Sequence, residues 1–171
     1  MSNKTTKTGT RYIVMGAIIA ALYIALTLIS NVFGLAYGPI QFRVSEVLCI
    51  LPIFTTAAIP GLTIGCLISN ILSFNVVDML FGTIATLLAA IFTRLSRNIK
   101  IFGIPFLSLL SPVIMNAVIV GAEIAAIYFN GTPFITMFPI SALQVGIGEA
   151  AVCFLLGIPL YLTLNKKQII Y

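Results

Sequence analysis

The chain has 171 residues, of which 60% are hydrophobic and only 8% charged, with a formal charge of +5 and no histidine. A soluble domain would hold roughly 25% charged residues. The nine Lys and Arg residues sit in short clusters between apolar runs, the pattern of membrane topology and not of nucleic-acid binding. The missing histidine excludes His proton relays, His–metal sites and Ser–His chemistry. Three cysteines, Cys49, Cys66 and Cys153, lie in separate apolar runs and make neither a disulfide framework nor a metal site. The composition therefore predicts an all-α integral membrane bundle in one domain, with room for six spans of about 20 residues.

Residues 1–10 are polar and contain Lys4 and Lys7; the apolar run that follows is longer than a signal-peptide core and reads as a retained first span, about 11–29. In it Ala17, Ala21 and Ala25 recur at spacing four, beside a second row of Gly16 and Ala20. Such rows let helices approach closely, either within the bundle or against a separate subunit. A Gly/Pro-containing loop covers 31–41, and span two follows at about 42–58 with Pro52 inside it. Pro60 and Gly61 suggest a tight turn into a short span three, about 62–74. Asn75 and Asp78 open span four, about 76–94; the segment from Arg94 to Lys100 is a basic loop. Spans five and six occupy about 104–128 and 139–164, the last ending in Lys166 and Lys167.

Six spans place the N-terminal tail, the loop after span four and the C-terminal tail on one side of the membrane. That side holds Lys4, Lys7, Arg11, Arg94, Arg97, Lys100, Lys166 and Lys167, whereas the other has Arg43 alone. The positive-inside rule then puts both termini in the cytoplasm.

On this topology all four acidic residues, Glu46, Asp78, Glu123 and Glu149, fall in spans, toward the outer half or near the midplane. Gln41, Asn70, Asn75, Asn116 and Gln144 fall there too. Intramembrane charge is costly and marks a partner, a ligand or water. Polar groups confined to one half suggest a pocket open to the outside and closed below. The bland alternatives are headgroup contact at helix ends, N-capping by Asp78 and Asn75, and an Arg43–Glu46 pair at spacing three. Carboxylates outnumber guanidinium here, which favours a ligand rich in N–H donors or carrying positive charge. A carboxylate can take an amidine-like edge through two charge-assisted hydrogen bonds. Tyr37, Phe33 and Phe42 could stack on such a ring or serve as interfacial anchors. No phosphate-binding loop, metal-ligand spacing, Ser-x-x-Lys pair or nucleophile elbow is present, so the chain reads as neither an ATPase nor an enzyme and implies no cofactor. No inverted repeat is visible, which weighs against a standalone secondary transporter.

Three stretches carry a family resemblance: Tyr37-Gly-Pro-Ile-Gln-Phe-Arg-Val-Ser-Glu46, Ile59-Pro-Gly-Leu-Thr-Ile-Gly-Cys-Leu-Ile-Ser-Asn70 and Asp78-Met-Leu-Phe-Gly-Thr-Ile-Ala-Thr-Leu-Leu-Ala89. They resemble the QueT family, substrate-binding S components of energy-coupling factor (ECF) transporters associated with queuosine precursors. The likeness is in the sequence motifs of spans one to four and in the size and hydropathy of spans five and six. It implies six helices, cytoplasmic termini, an outward-facing pocket capped by the first loop, and a complex with a transmembrane coupling subunit and two ATP-binding subunits. Docking through small residues of the first helix would fall on Ala17, Ala21 and Ala25. The implied ligand contacts are Gln41, Arg43, Glu46, Asn70 and Asp78; Tyr37 is a candidate through stacking, and Asn116, Glu123, Gln144 and Glu149 rest on their depth in the membrane. A 7-deazaguanine has the donor edge that a carboxylate reads, and a thiamine-precursor aminopyrimidine offers a similar one. The competing readings are a standalone proton-coupled carrier titrating at Glu123 or Glu149, and a small membrane enzyme or assembly factor.

Overall fold

The computed structural model describes residues 2–36, 41–72, 74, 76–127 and 131–167, with side chains from 9 to 166 within those ranges. Among the described residues the chain forms six α-helices and one 3-10 segment. These are α1 (Ser2–Val32), the 3-10 segment (Val44–Ile53), α2 (Ala58–Leu72), α3 (Val76–Leu95), α4 (Phe106–Ile127), α5 (Phe134–Leu155) and α6 (Gly157–Lys167). Four stretches are long and apolar enough to cross a membrane: Gly9–Val32, Val76–Leu95, Phe106–Ile127 and Phe134–Lys166. The 3-10 segment and α2 are shorter apolar helices. The protein is an α-helical, multi-pass membrane protein.

The helices pack in chain order, α1 on α2, α2 on α3, α3 on α4 and α4 on α5, and every α-helix also touches the 3-10 segment. That segment is the hub. Ser45, Glu46, Leu48, Cys49, Ile50, Leu51 and Pro52 are all buried in it. Irregular backbone at membrane depth is tolerated only where protein covers it, and the surrounding helices supply that cover. The sequence suggests an ordinary apolar helix here, and the structure gives a tighter one. Glu46 N–H donates to the Arg43 carbonyl at 2.9 Å and Phe54 N–H to the Leu51 carbonyl at 2.9 Å, the i to i+3 pattern. In an α-helix the Pro52 ring would strike the carbonyl one turn back. With three residues per turn, Glu46 and Cys49 line up on one ridge. At the far end Arg94 Nη1 donates to the carbonyls of Pro52 and Ile53, each at 3.0 Å, satisfying the last acceptors of the segment. Arg94 is thus a structural cap as well as a topology charge.

Two other expectations change. Pro60 and Gly61 make no turn; they lie in the first turn of α2, where proline's missing N–H costs nothing. The polar residues of 2–10 are helical and continue α1. The last apolar run starts at Phe134, not near Pro139, and breaks at Leu156 between α5 and α6. Pro159, just after the break, cannot donate back into the preceding turn.

The two small-residue rows of α1 separate cleanly. Gly16 and Ala20 meet α2: a Cβ on Gly61 would stand 2.7 Å from the Gly16 carbonyl, and one on Gly65 would stand 3.0 Å from the Ala20 carbonyl and 2.8 Å from Tyr23 Cβ. Only glycine permits that approach. Ala17, Ala21 and Ala25 instead face away from the bundle and are exposed.

Candidate functional site

The polar residues of the spans converge around the start of the 3-10 segment, and they divide into a paired set and an unpaired set. The paired set is built on α1, α2 and α3. Arg43 stands just before the segment in extended backbone (φ −84°, ψ 102°), which aims its guanidinium at the start of α3. There it forms a buried ion pair with Asp78, while its Nε donates to the Ala36 carbonyl at 2.9 Å. Asn70 Nδ2 donates to the Asp78 backbone carbonyl at 2.8 Å, tying α2 to the same point. The spacing-three partner Glu46 does not pair with Arg43 in this way; it accepts from the Tyr23 hydroxyl and from Cys49 Sγ. Thr27 Oγ1 lies 2.7 Å from Ser45 Oγ, and Ser30 Oγ accepts from the Val44 N–H at 3.0 Å. Tyr23, Thr27 and Ser30 therefore form a polar stripe on α1 that stitches it to the segment. Composition hides this stripe, but the spacing of four and three is visible in the sequence.

The second set lies on α3, α4 and α5. Asn116 Nδ2, Glu123 Oε2, Ser141 Oγ, Gln144 Oε1 and Thr83 Oγ1 are buried atoms without a hydrogen-bond partner among the described residues. Asn116, Glu123 and Ser141 are themselves buried. Buried polar atoms are rarely left this way, because each forfeits its solvation without replacement. The seam that carries most of them is tight: a Cβ on Gly121 would lie 2.7 Å from Ala142 Cα, and one on Gly146 would lie 3.5 Å from Ala117 Cβ. These contacts fix the antiparallel register, with Asn116 level with the Gly148 turn, Glu123 level with the Ser141 turn, and Gln144 between them.

The two sets meet. Glu123 interacts with Asp78 and with the Arg43 guanidinium. Glu149 interacts with Glu46 and Arg43, and Cys153 Sγ lies 3.9 Å from its Oε2. Four buried carboxylates thus share one region with a single guanidinium, which is paired with Asp78. Gln41 is buried, and its backbone carbonyl rests against Gly148 so closely that any Cβ there would collide. Ala36 is thus held on Arg43, and Gln41 is packed on Gly148. Beneath Glu46, the space lined by Cys49, Ser108, Pro112, Cys153 and Gly157 narrows to a crevice too tight for a water molecule.

Of the residues singled out in the sequence, Gln41, Arg43, Glu46, Asn70, Asp78, Glu123 and Glu149 come together, and Asn116 and Gln144 line the adjoining seam. Tyr37 and Asn75 lie outside the described residues. Phe33 is 72% exposed and stacks on nothing in the site. Ser141, Thr83, Tyr23, Thr27 and Gly148 are the additions, and short hydroxyl side chains and a glycine give little signal in an apolar helix. No group of three or more His, Cys, Asp or Glu among the described residues is placed to hold a metal ion.

The QueT transporter family matches residues 13–166, nearly the whole bundle and both sets of polar residues. The chain belongs to the QueT transporter family. That family is one of transporters, not of enzymes. A relative, the protein named Queuosine precursor transporter QueT from Lactococcus lactis subsp. cremoris (strain MG1363), is 49% identical over 81 residues. The match covers 47% of this chain and 48% of the relative, so it spans about half the length of each. No solved structure matches.

Proposed function

We propose that the chain is the substrate-specificity subunit (S component) of an ECF-type ABC importer. In this reading it binds a queuosine precursor of the 7-deazaguanine class from outside the cell membrane of a prokaryote and delivers it to an ATP-driven module. The observation that carries the proposal is the set of unpaired buried donors and acceptors beside a carboxylate-rich frame. Such a set wants a small ligand with several N–H donors, and a queuosine precursor is what the relative's name gives as its cargo. Tyr37, Gln41, Asn116, Glu123 and Gln144 contact the ligand. Arg43, Glu46, Asn70, Asp78 and Glu149 hold the wall against which it binds.

The fold crosses the bilayer six times as one domain, with both termini in the cytoplasm. The basic clusters at the chain ends and after α3, against Arg43 alone on the other side, support that orientation. Ala17, Ala21 and Ala25 form the docking row for the transmembrane coupling subunit, and two ATP-binding subunits complete the complex. The exposure of this row supports the assignment, as does the use of Gly16 and Ala20 for α2. This chain has no catalysis of its own and needs no cofactor.

Uptake of a labelled precursor into proteoliposomes should require the coupling and ATP-binding subunits together with ATP. Ala21→Leu should leave ligand affinity at its original level and abolish co-purification with the coupling subunit, because the added bulk keeps the helices apart. Survival of the complex would remove the docking assignment. Uptake by this chain alone under a pH gradient would replace the proposal with a proton-coupled carrier using Glu123 or Glu149.

A further inference from the structure

The unpaired atoms on α3, α4 and α5 differ in kind. Glu123 Oε2 and Gln144 Oε1 are acceptors, Asn116 Nδ2 is a donor, and the Ser141 and Thr83 hydroxyls can serve either way. The antiparallel register fixed by Gly121 on Ala142 and Gly146 on Ala117 sets their order along the seam as donor, acceptor, acceptor, from Asn116 through Gln144 to Glu123. Asn116 and Glu123 stand two turns apart on α4, about 10 Å between backbones, and Gln144 on α5 is level with the stretch between them.

We infer that this seam reads the edge of a neutral lactam-amidine ring, with Asn116 donating to the ring carbonyl, Gln144 accepting from the ring N–H and Glu123 accepting from the exocyclic amine. The ligand sequence is acceptor, donor, donor, the complement of the seam. A guanine-type ring presents that sequence. An aminopyrimidine of the thiamine-precursor kind presents one amine beside a ring nitrogen without hydrogen, which leaves one seam acceptor facing a lone pair. Arg43 and Asp78 are engaged with each other and set the wall without choosing the ring. The inference rests on the proposed uptake of a 7-deazaguanine and adds which residues choose it.

The test pairs ligand edits with residue edits, using the full chain in detergent and calorimetric binding. 7-Deazaguanine is compared with 7-deazahypoxanthine, which lacks the exocyclic amine. The unmodified protein should prefer 7-deazaguanine by at least about tenfold, since a site built for an N–H rejects its absence. Glu123→Leu should bring the two rings to equal affinity, whereas Asn116→Leu should weaken both and keep the preference. Should Glu123→Leu fail to fold, Glu123→Gln, which retains an acceptor without the charge, should shrink the preference without erasing it. A preference unchanged in the Glu123 variants, or erased by Asn116→Leu, overturns the inference while leaving the substrate class intact. Failure of the unmodified protein to bind either ring overturns the substrate class itself.

Discussion

Replacing Arg43 by Met should be among the most damaging single changes in the molecule. The guanidinium is buried, is paired with Asp78, and is the cation that the Glu123 and Glu149 carboxyls also face. Removing one partner of a buried pair costs about 3–5 kcal/mol because the other charge stays behind unpaired. Arg43→Met should therefore lower the thermal unfolding midpoint in detergent sharply, and Arg43→Met with Asp78→Leu should recover much of the loss. A single variant as stable as the original, or a double variant no better than the single, would mean that the pair does not frame the site.

Gly148→Ala should disable ligand binding through the backbone. A Cβ at this position would overlap the Gln41 carbonyl, and backbone cannot rotate aside as a side chain can. Overpacking of this kind costs about 1–3 kcal/mol, and relief comes from moving Gln41 off α5. Gly146→Ala, one turn-fraction away on the same helix, is the control: its Cβ would meet Ala117 Cβ at an ordinary 3.5 Å. Calorimetry should find binding lost or strongly weakened in the first and unchanged in the second. Equal behaviour of the two variants would show that the close approach of Gln41 to Gly148 is unimportant for the ligand.

Much of this arrangement is legible before any coordinates are seen, and the reasons it stops being legible are specific. Intramembrane carboxylates are so costly that the four in this sequence already draw attention, and all four are buried in the structure, with Asp78 paired to Arg43. The stretch after Tyr37 stands out by its Gly, Pro and charge, and its continuation is the hub of the packing. What fails is local geometry inside uniformly apolar sequence. From Val47 to Ile53 nearly every residue is apolar, so no period distinguishes a 3-10 from an α-helix, and only the covering helices decide. Pro60 followed by Gly61 reads as a turn by composition, yet both suit a helix start pressed against α1. Pairing is the other blind spot. Sequence spacing offers Glu46 to Arg43, but the extended backbone at Arg43 hands its side chain to Asp78, 35 residues on. The α1 rows show the opposite case: two rows of small residues are equivalent as patterns, and only the fold assigns one to α2 and leaves the other bare.

The most direct test of the central claim is calorimetric binding of a ligand panel by the purified chain in detergent, without partner subunits. The panel sets 7-deazaguanine queuosine precursors against hydroxymethylpyrimidine, thiamine and other vitamins. Tight, saturable binding of a 7-deazaguanine, with the pyrimidine and thiamine weaker by at least about tenfold, is the predicted result. Tight binding of the pyrimidine would keep the frame and contradict the ring assignment, and absence of binding across the panel would contradict the account of the unpaired groups as a ligand site.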